Sequence, residues 1–233
     1  MKKLLLLFAV LAMGCAMLNS ARAQVPISVG GKLGINFSTI SYDPDLPSAI
    51  SKSGGTGFAF GGVVEMGVGG PAYIQVEPMY ISKGSSVEGP IFVTQGGQQV
   101  NGKTTNSLSF FEIPILFKAK FPAGPVKPYG LFGPVIGFTL SAKSKDEPQG
   151  FPSEETDVKD KTSSTYFGLA FGGGAEFKVA PMISLTGDIR YVLGLNDLSK
   201  DQPAQQGQQQ QAHQSVKASG FQFFVGALFH LGK

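Results

Sequence analysis

The stretch ISLTGDIRYVLGL, residues 183 to 195, alternates apolar and polar with hardly a break. Ile183, Leu185, Ile189, Tyr191 and Leu193 share one parity; Ser184, Thr186, Asp188 and Arg190 share the other. At the two-residue period of a strand this gives one apolar face and one face with a charge pair. The same pattern predicts eight strands in all, near 28–40, 57–68, 72–82, 107–119, 126–141, 165–178, 182–194 and 219–231. Each is long enough to cross a bilayer, which takes a tilted strand ~9–11 residues.

The connections sort by length. Gly69-Gly70-Pro71, Phe121-Pro122-Ala123-Gly124-Pro125 and Val179-Ala180-Pro181 are short and carry turn residues. Between them lie longer polar segments at 41–56, 83–106, 142–164 and 195–218. Long and short connections alternate strictly. This predicts an all-β, eight-stranded antiparallel up-and-down transmembrane β-barrel, with both termini and the short turns in the periplasm and the long loops outside the cell. A turn at Val179-Ala180-Pro181 would set Ala170 and Gly172 opposite Arg190 and Asp188.

The two faces then separate by chemistry. Every acid within a predicted strand falls on one parity: Glu65, Glu77, Glu112, Glu176 and Asp188. Lys32, Asn36, Gln75, Lys118, Arg190 and Gln222 share that parity, as do the small residues Gly168, Ala170, Gly172 and Gly174. The other parity carries residues such as Leu33, Ile35, Val64, Ile113 and Val225. At its outer end stand Phe37, Phe58, Tyr80, Phe111, Phe138, Phe167, Tyr191 and Phe221, placed as an interfacial aromatic girdle. The apolar face therefore meets lipid, and the charges point into a lumen that eight strands leave just wide enough for side chains to fill. The alternative is a secreted, lipocalin-like binder with the apolar parity turned inward around a small ligand. Its charged parity would then face water despite all that Gly and Ala, and the girdle would have no cause.

Composition changes the picture at the N-terminus. Lys2 and Lys3, the apolar run Leu4 to Leu18 and the small-x-small site Ala21-Arg22-Ala23 form a signal peptide, residues 1–23, preceding a barrel domain at 24–233. Ala12-Met13-Gly14-Cys15 offers a lipoprotein site as the rival reading. Of the 19 Lys and Arg, three lie in residues 1–23, leaving 16 against 16 Asp and Glu. The remainder is formally neutral, so the basic pI is no argument for nucleic acid. Cys15 is the single cysteine, which leaves the expected mature chain without thiol or disulfide chemistry. No run of eighteen apolar residues occurs beyond that segment, so no helical span is expected after the signal.

The segments GGKLGINFSTI, GFAFGGVVEM, YIQVEPMYISKGS, FFEIPILFKAKF and KPYGLFGPVIGF, in that order, resemble the PorT-like outer-membrane β-barrel family of Bacteroidota. Glu112-Ile113-Pro114 and Lys127-Pro128-Tyr129 are the most telling matches. The resemblance implies an eight-stranded outer membrane protein beta-barrel domain; one member of the family is tied to a secretion system, while most are uncharacterised barrels. It brings no site residues with it.

Candidate chemistry is sparse. The inward charges Glu65, Glu77, Glu112, Asp188, Lys32 and Arg190 could hold an ion or small polar ligand, but a filled lumen needs them to satisfy one another. His230 reads as a hydrogen-bonded lumen residue. His213-Gln214-Ser215 is a His-x-Ser pair of the kind found in lipid A-modifying barrels, yet it stands in the Gln-rich tract 202–214 with no acid at useful spacing. Asp43, Asp45, Asp146, Glu147, Glu154, Glu155, Asp157 and Asp160 are scattered loop acids, read as solvated rather than as ligands for ions bridging lipopolysaccharide. Gly172-Gly173-Gly174 lies within a strand and is no phosphate loop. The expectation is a non-enzymatic, monomeric outer-membrane barrel without catalytic, cofactor or metal residues. It would scaffold or bind through its long loops, in contact with outer-membrane lipid, lipopolysaccharide and an envelope or secretion-system protein. Ile91, Phe92 and Val93 would give the loop at 83–106 an apolar anchor, or merely extend a strand pair above the membrane.

Overall fold

The computed structural model describes residues 25–43, 47–93, 97, 99–199 and 215–231. The expected signal segment with Cys15, residue Asp45 and the Gln-rich tract with His213 lie outside the described residues. The strands are β1 (Ile27–Asp43), β2 (Ser51–Gly69), β3 (Ala72–Val76), β4 (Met79–Val93), β5 (Gln99–Lys120), β6 (Val126–Pro148), β7 (Glu154–Asp157), β8 (Thr165–Ala180), β9 (Ile183–Gly194) and β10 (Ser215–Leu231). β3 and β4 are one wall strand, interrupted where Pro78 has no N–H to give the ladder; their pairings to β2 and β5 keep the same register across the break. β7 is a short hairpin arm on the outer end of β6.

All pairings are antiparallel, and β10 closes on β1 from Ile27↔Leu231 to Asp43↔Ser215. The closed ring has eight wall strands, so no backbone edge is left in hydrocarbon. One row of paired residues runs from Met66 on β2 through Ile74, Phe117, Phe132, Phe171, Tyr191, Phe221 and Phe37 to Thr56, again on β2. The circuit returns ten residues from its start, since Met66 and Thr56 are ten apart. With ~3.3 Å per residue and ~4.7 Å between strands, that stagger tilts the wall by about 40°, the ordinary slope of such barrels.

The parity assignment holds throughout. All eleven polar residues assigned inward, from Lys32 to Gln222, are buried, while Leu33, Ile35, Phe60, Val64, Leu185 and Val225 are exposed. This overturns the lipocalin-like alternative, which needs the reverse. Phe37, Phe58, Phe111, Phe138, Phe167 and Phe221 are exposed, and Tyr80 and Tyr191 are half covered by neighbouring rings. The rings are not confined to one end, however: Phe117, Phe132, Phe171, Phe177 and Phe229 also face outward. Several are direct cross-strand partners on the tilted row above, where ring–ring contacts stabilise the pairing.

Two expectations need correction. The connections at 83–106 and 142–164 are not loops over most of their length. β4 and β5 stay paired from Met79↔Glu112 out to Val93↔Gln99, and β5 and β6 out to Gly102↔Pro148. Ile91, Phe92 and Val93 belong to that extended strand pair, with the Phe92 ring lying across Gly102. The register of β8 on β9 is displaced by two residues. Arg190 faces Gly172 and Asp188 faces Gly174, because the reversal is a tight one at Pro181-Met182 with an irregularity between Lys178 and Ala180. A shift of two preserves parity, which is why the faces were right and the partners wrong.

Candidate functional site

The lumen is the one place where the fold gathers titratable groups, and it holds them in layers. At mid-height, Lys32 Nζ lies 2.8 Å from Glu77 and 2.7 Å from Asp188. Arg190 binds the same two acids, at 2.6 Å to Glu77 and 2.8 Å to Asp188. Gln75 donates to Glu77, the Tyr129 hydroxyl donates to Asp188 at 3.1 Å, and the guanidinium stacks 4.4 Å over the Phe224 ring. Four charges in a square, two of each sign, thus satisfy one another. The site is possible because β8 presents glycine here: a Cβ on Gly172 would stand 2.6 Å from the Arg190 Cα, and one on Gly174 2.7 Å from the Asp188 Cβ.

Towards the periplasm the pattern repeats. Lys118 contacts Glu65 at 2.8 Å and lies 3.7 Å over the Tyr129 ring. Lys120 joins Glu65 to Glu176, the latter at 2.6 Å, and lies over Tyr73. Towards the outside, Lys83 meets Glu112 at 2.7 Å and the Tyr166 ring at 3.8 Å. Buried bases number five (Lys32, Lys83, Lys118, Lys120, Arg190) and buried acids five (Glu65, Glu77, Glu112, Glu176, Asp188), so among the described residues the lumen is neutral. Desolvating one ion costs several kcal/mol, and a lumen with unequal numbers would leave that cost uncompensated.

Around the Lys83–Glu112 pair the outer half of the lumen is filled mainly by apolar side chains. Met79, Ile81, Phe110 and Tyr166 are at most 1% exposed and pack with Ile40, Leu108 and Val192. Sequence reasoning missed this plug, together with Lys83, Lys120 and the tyrosines. Phe110 and Phe111 are adjacent, a break in the alternation that could have flagged apolar residues on the inward parity. Lys83 and Lys120 fell just outside the expected strand ends.

His230 lies at the periplasmic mouth, where its Nδ1 is 2.8 Å from Ser28 Oγ and its Nε2 2.7 Å from Ser184 Oγ. Glu176 is 3.7 Å from that same Nε2, already occupied by Ser184, and its other oxygen belongs to Lys120. Both serines are at most 4% exposed. The imidazole therefore ties two strands to β10 and has no exposed nucleophile beside it.

Outside the membrane the extended sheet is charged. Lys143 pairs with Glu155 and Lys145 with Glu147, each at 2.7 Å and about half exposed. The hydrogen bond to Glu155 raises the Lys143 pKa, and the one from Lys145 lowers that of Glu147. Exposed pairs of this kind shape a surface more than they stabilise it. Among the described residues no cluster of three or more His, Cys, Asp or Glu could hold a metal ion.

Solved barrels with a similar course include the neisserial surface protein A, 13% identical over 87% of this chain and 96% of that one, TM-score 0.45. The outer membrane protein OprG from Pseudomonas aeruginosa is 10% identical over 90% and 97%, TM-score 0.49. The attachment invasion locus protein Ail of Yersinia pestis is 14% identical over 88% and 99%, TM-score 0.35. No curated protein matches the sequence. Residues 20–200 match the family model described as the outer membrane protein beta-barrel domain. That match spans most of the sequence, so the chain belongs to the outer membrane protein beta-barrel domain family, and the outer membrane is where it resides.

Proposed function

We propose that this barrel is non-enzymatic and works through its extracellular sheet, scaffolding or binding an envelope partner, with the lumen serving as structure. The observation that carries this reading is the contrast between the two regions. The lumen is stopped by mutually neutral ion pairs and, in its outer half, by an apolar cluster packed around one of them. The outer ends of β4, β5 and β6 instead project a paired sheet bearing exposed charge of both signs. Resemblance to PorT-like barrels supports a partner in secretion or surface assembly, and the basic, apolar and small-residue order of residues 1–23 supports export with cleavage before Gln24. The test is photo-crosslinking in intact cells from positions 145 and 155 on the sheet and from 70 and 124 in the short turns. A protein captured from the sheet positions is the expected result. Capture from the turns alone would move the working surface to the periplasm.

A further inference from the structure

The wall carries a groove of about 560 Å³ on its outer surface, near the extracellular ends of β9, β10, β1 and β2. Its origin is in the pairing. β1 leaves β2 after Ser38↔Gly55, and β10 leaves β9 after Gly220↔Val192, yet β1 and β10 stay paired to Asp43↔Ser215. The regular ladders on both sides of the β1–β10 ribbon thus end at one level, although β10 stays tied to the chain after β9 through the Leu198 amide on the Val216 carbonyl, and the small residues Gly54, Gly55 and Gly220 line the gap.

The lining is graded along the barrel axis. The lower part holds the girdle rings Phe37, Tyr191 and Phe221, on the parity that faces lipid. The upper part holds the hydroxyls of Thr39, Ser41 and Thr56, all exposed and on that outward surface. Beside the groove and level with Ser41, its direct partner across the β1–β10 pair, the exposed cation Lys217 stands on the same face. Ser219 also lines the groove, but its hydroxyl oxygen already accepts the Gly194 amide at 3.1 Å.

We propose that this groove binds a phosphorylated glycolipid of the outer leaflet. Its acyl chain lies against the three rings, its sugar hydrogen-bonds Thr39, Ser41 and Thr56, and its phosphate pairs with Lys217. Two observations select this occupant over a protein. The groove is continuous with the lipid-facing belt, so lipid is what already covers its lower half. Its apolar level lies below a level of hydroxyls and a cation, the order in which the acyl chain and then the phosphorylated sugar of a glycolipid leave a membrane. Its volume lies within the ~300–1,000 Å³ usual for small-ligand sites.

The test is native mass spectrometry of the folded barrel released from detergent, offered bis-phosphorylated hexa-acyl lipid A, its dephosphorylated form, or phosphatidylglycerol. The expected result is one lipid A retained under conditions that strip phosphatidylglycerol, with affinity about tenfold lower for the dephosphorylated form, as loss of one charge-assisted contact predicts. Lys217→Ala should bind both forms of lipid A equally weakly. Thr39→Phe, which fills the groove from an exposed position, should lose retention while keeping the fast mobility of a folded barrel on unboiled gels. Equal retention of lipid A and phosphatidylglycerol would reduce the groove to ordinary lipid contact and overturn the proposal. So would a Lys217→Ala barrel that still distinguishes the two forms of lipid A. Should Thr39→Phe fail to fold, the Lys217 comparison decides alone.

Discussion

Glu77 is held by Lys32 and Arg190 together, at 2.8 and 2.6 Å, and is 0% exposed. Replacing it with Gln would keep the shape and leave the lumen one positive charge in excess. Removing one partner of a buried pair typically costs about 3–5 kcal/mol, so Glu77→Gln should lower the urea midpoint of folding into lipid vesicles by that equivalent. A change under about 1 kcal/mol would mean that water or a bound anion already screens this square, reopening the lumen as a site. Thr186 makes the opposite point. It is buried, and its hydroxyl has no hydrogen-bond partner among the described atoms. Thr186→Val keeps the volume and removes an unsatisfied group, so its cost should be near zero. On the other side of the same strand, Leu185→Arg should cost about 2–4 kcal/mol if it sits near the bilayer midplane. The same urea titration reads all three, and equal costs at 185 and 186 would contradict the assignment of faces.

At the scale of the strand, parity was legible because lipid and lumen impose opposite solvents on alternate residues, and that constraint runs through Glu65, Glu112 and Asp188 alike. The run Lys83-Gly84-Ser85-Ser86-Val87-Glu88 shows no clean alternation because its buried positions, Lys83 and Ser85, are polar like the more exposed ones, and its strand character could not be read. Register was misjudged for a different reason: it depends on how many residues the reversal at Pro181-Met182 consumes, which alternation does not encode. The glycines of β8 give a test at this scale. A Cβ on Gly172 would come within 2.2 Å of the Ile189 carbonyl oxygen and 2.6 Å of the Arg190 Cα, both backbone atoms that cannot swing away. Gly172→Ala should therefore cost about 1–3 kcal/mol, as overpacked positions do. A Cβ on Gly130 of β6 would meet nothing within 4 Å, and Gly130→Ala should be neutral or slightly stabilising. Equal thermal shifts for the two on unboiled gels would mean that the close approach of β8 to β9 is not real.

The whole molecule divides into a wall that the bilayer stabilises and a sheet that stands on it, and the two should be separable. Within the wall, every strand is paired on both sides and the ring is closed by β1 and β10. The outer sheet continues β4, β5 and β6 but adds nothing to that closure. Glu88 and Lys103 are direct partners across β4 and β5, so replacing residues 89–102 with Asn-Gly would join two already paired residues by a tight hairpin turn. The shortened barrel should fold as completely as the full chain, run faster unboiled than boiled, and resist trypsin equally in vesicles. Any partner captured from the extracellular sheet should be lost with the segment. Planar bilayers supply the complementary arm: with Met79, Ile81, Phe110 and Tyr166 packed across the outer half of the lumen, neither the full nor the shortened chain should conduct ions. Steady conductance that changes with Asp188→Asn or Arg190→Met would assign the work to the lumen instead. Failure of the shortened chain to fold would make the outer sheet part of the wall's own stability, since long β4–β5 pairing could then nucleate closure rather than follow it.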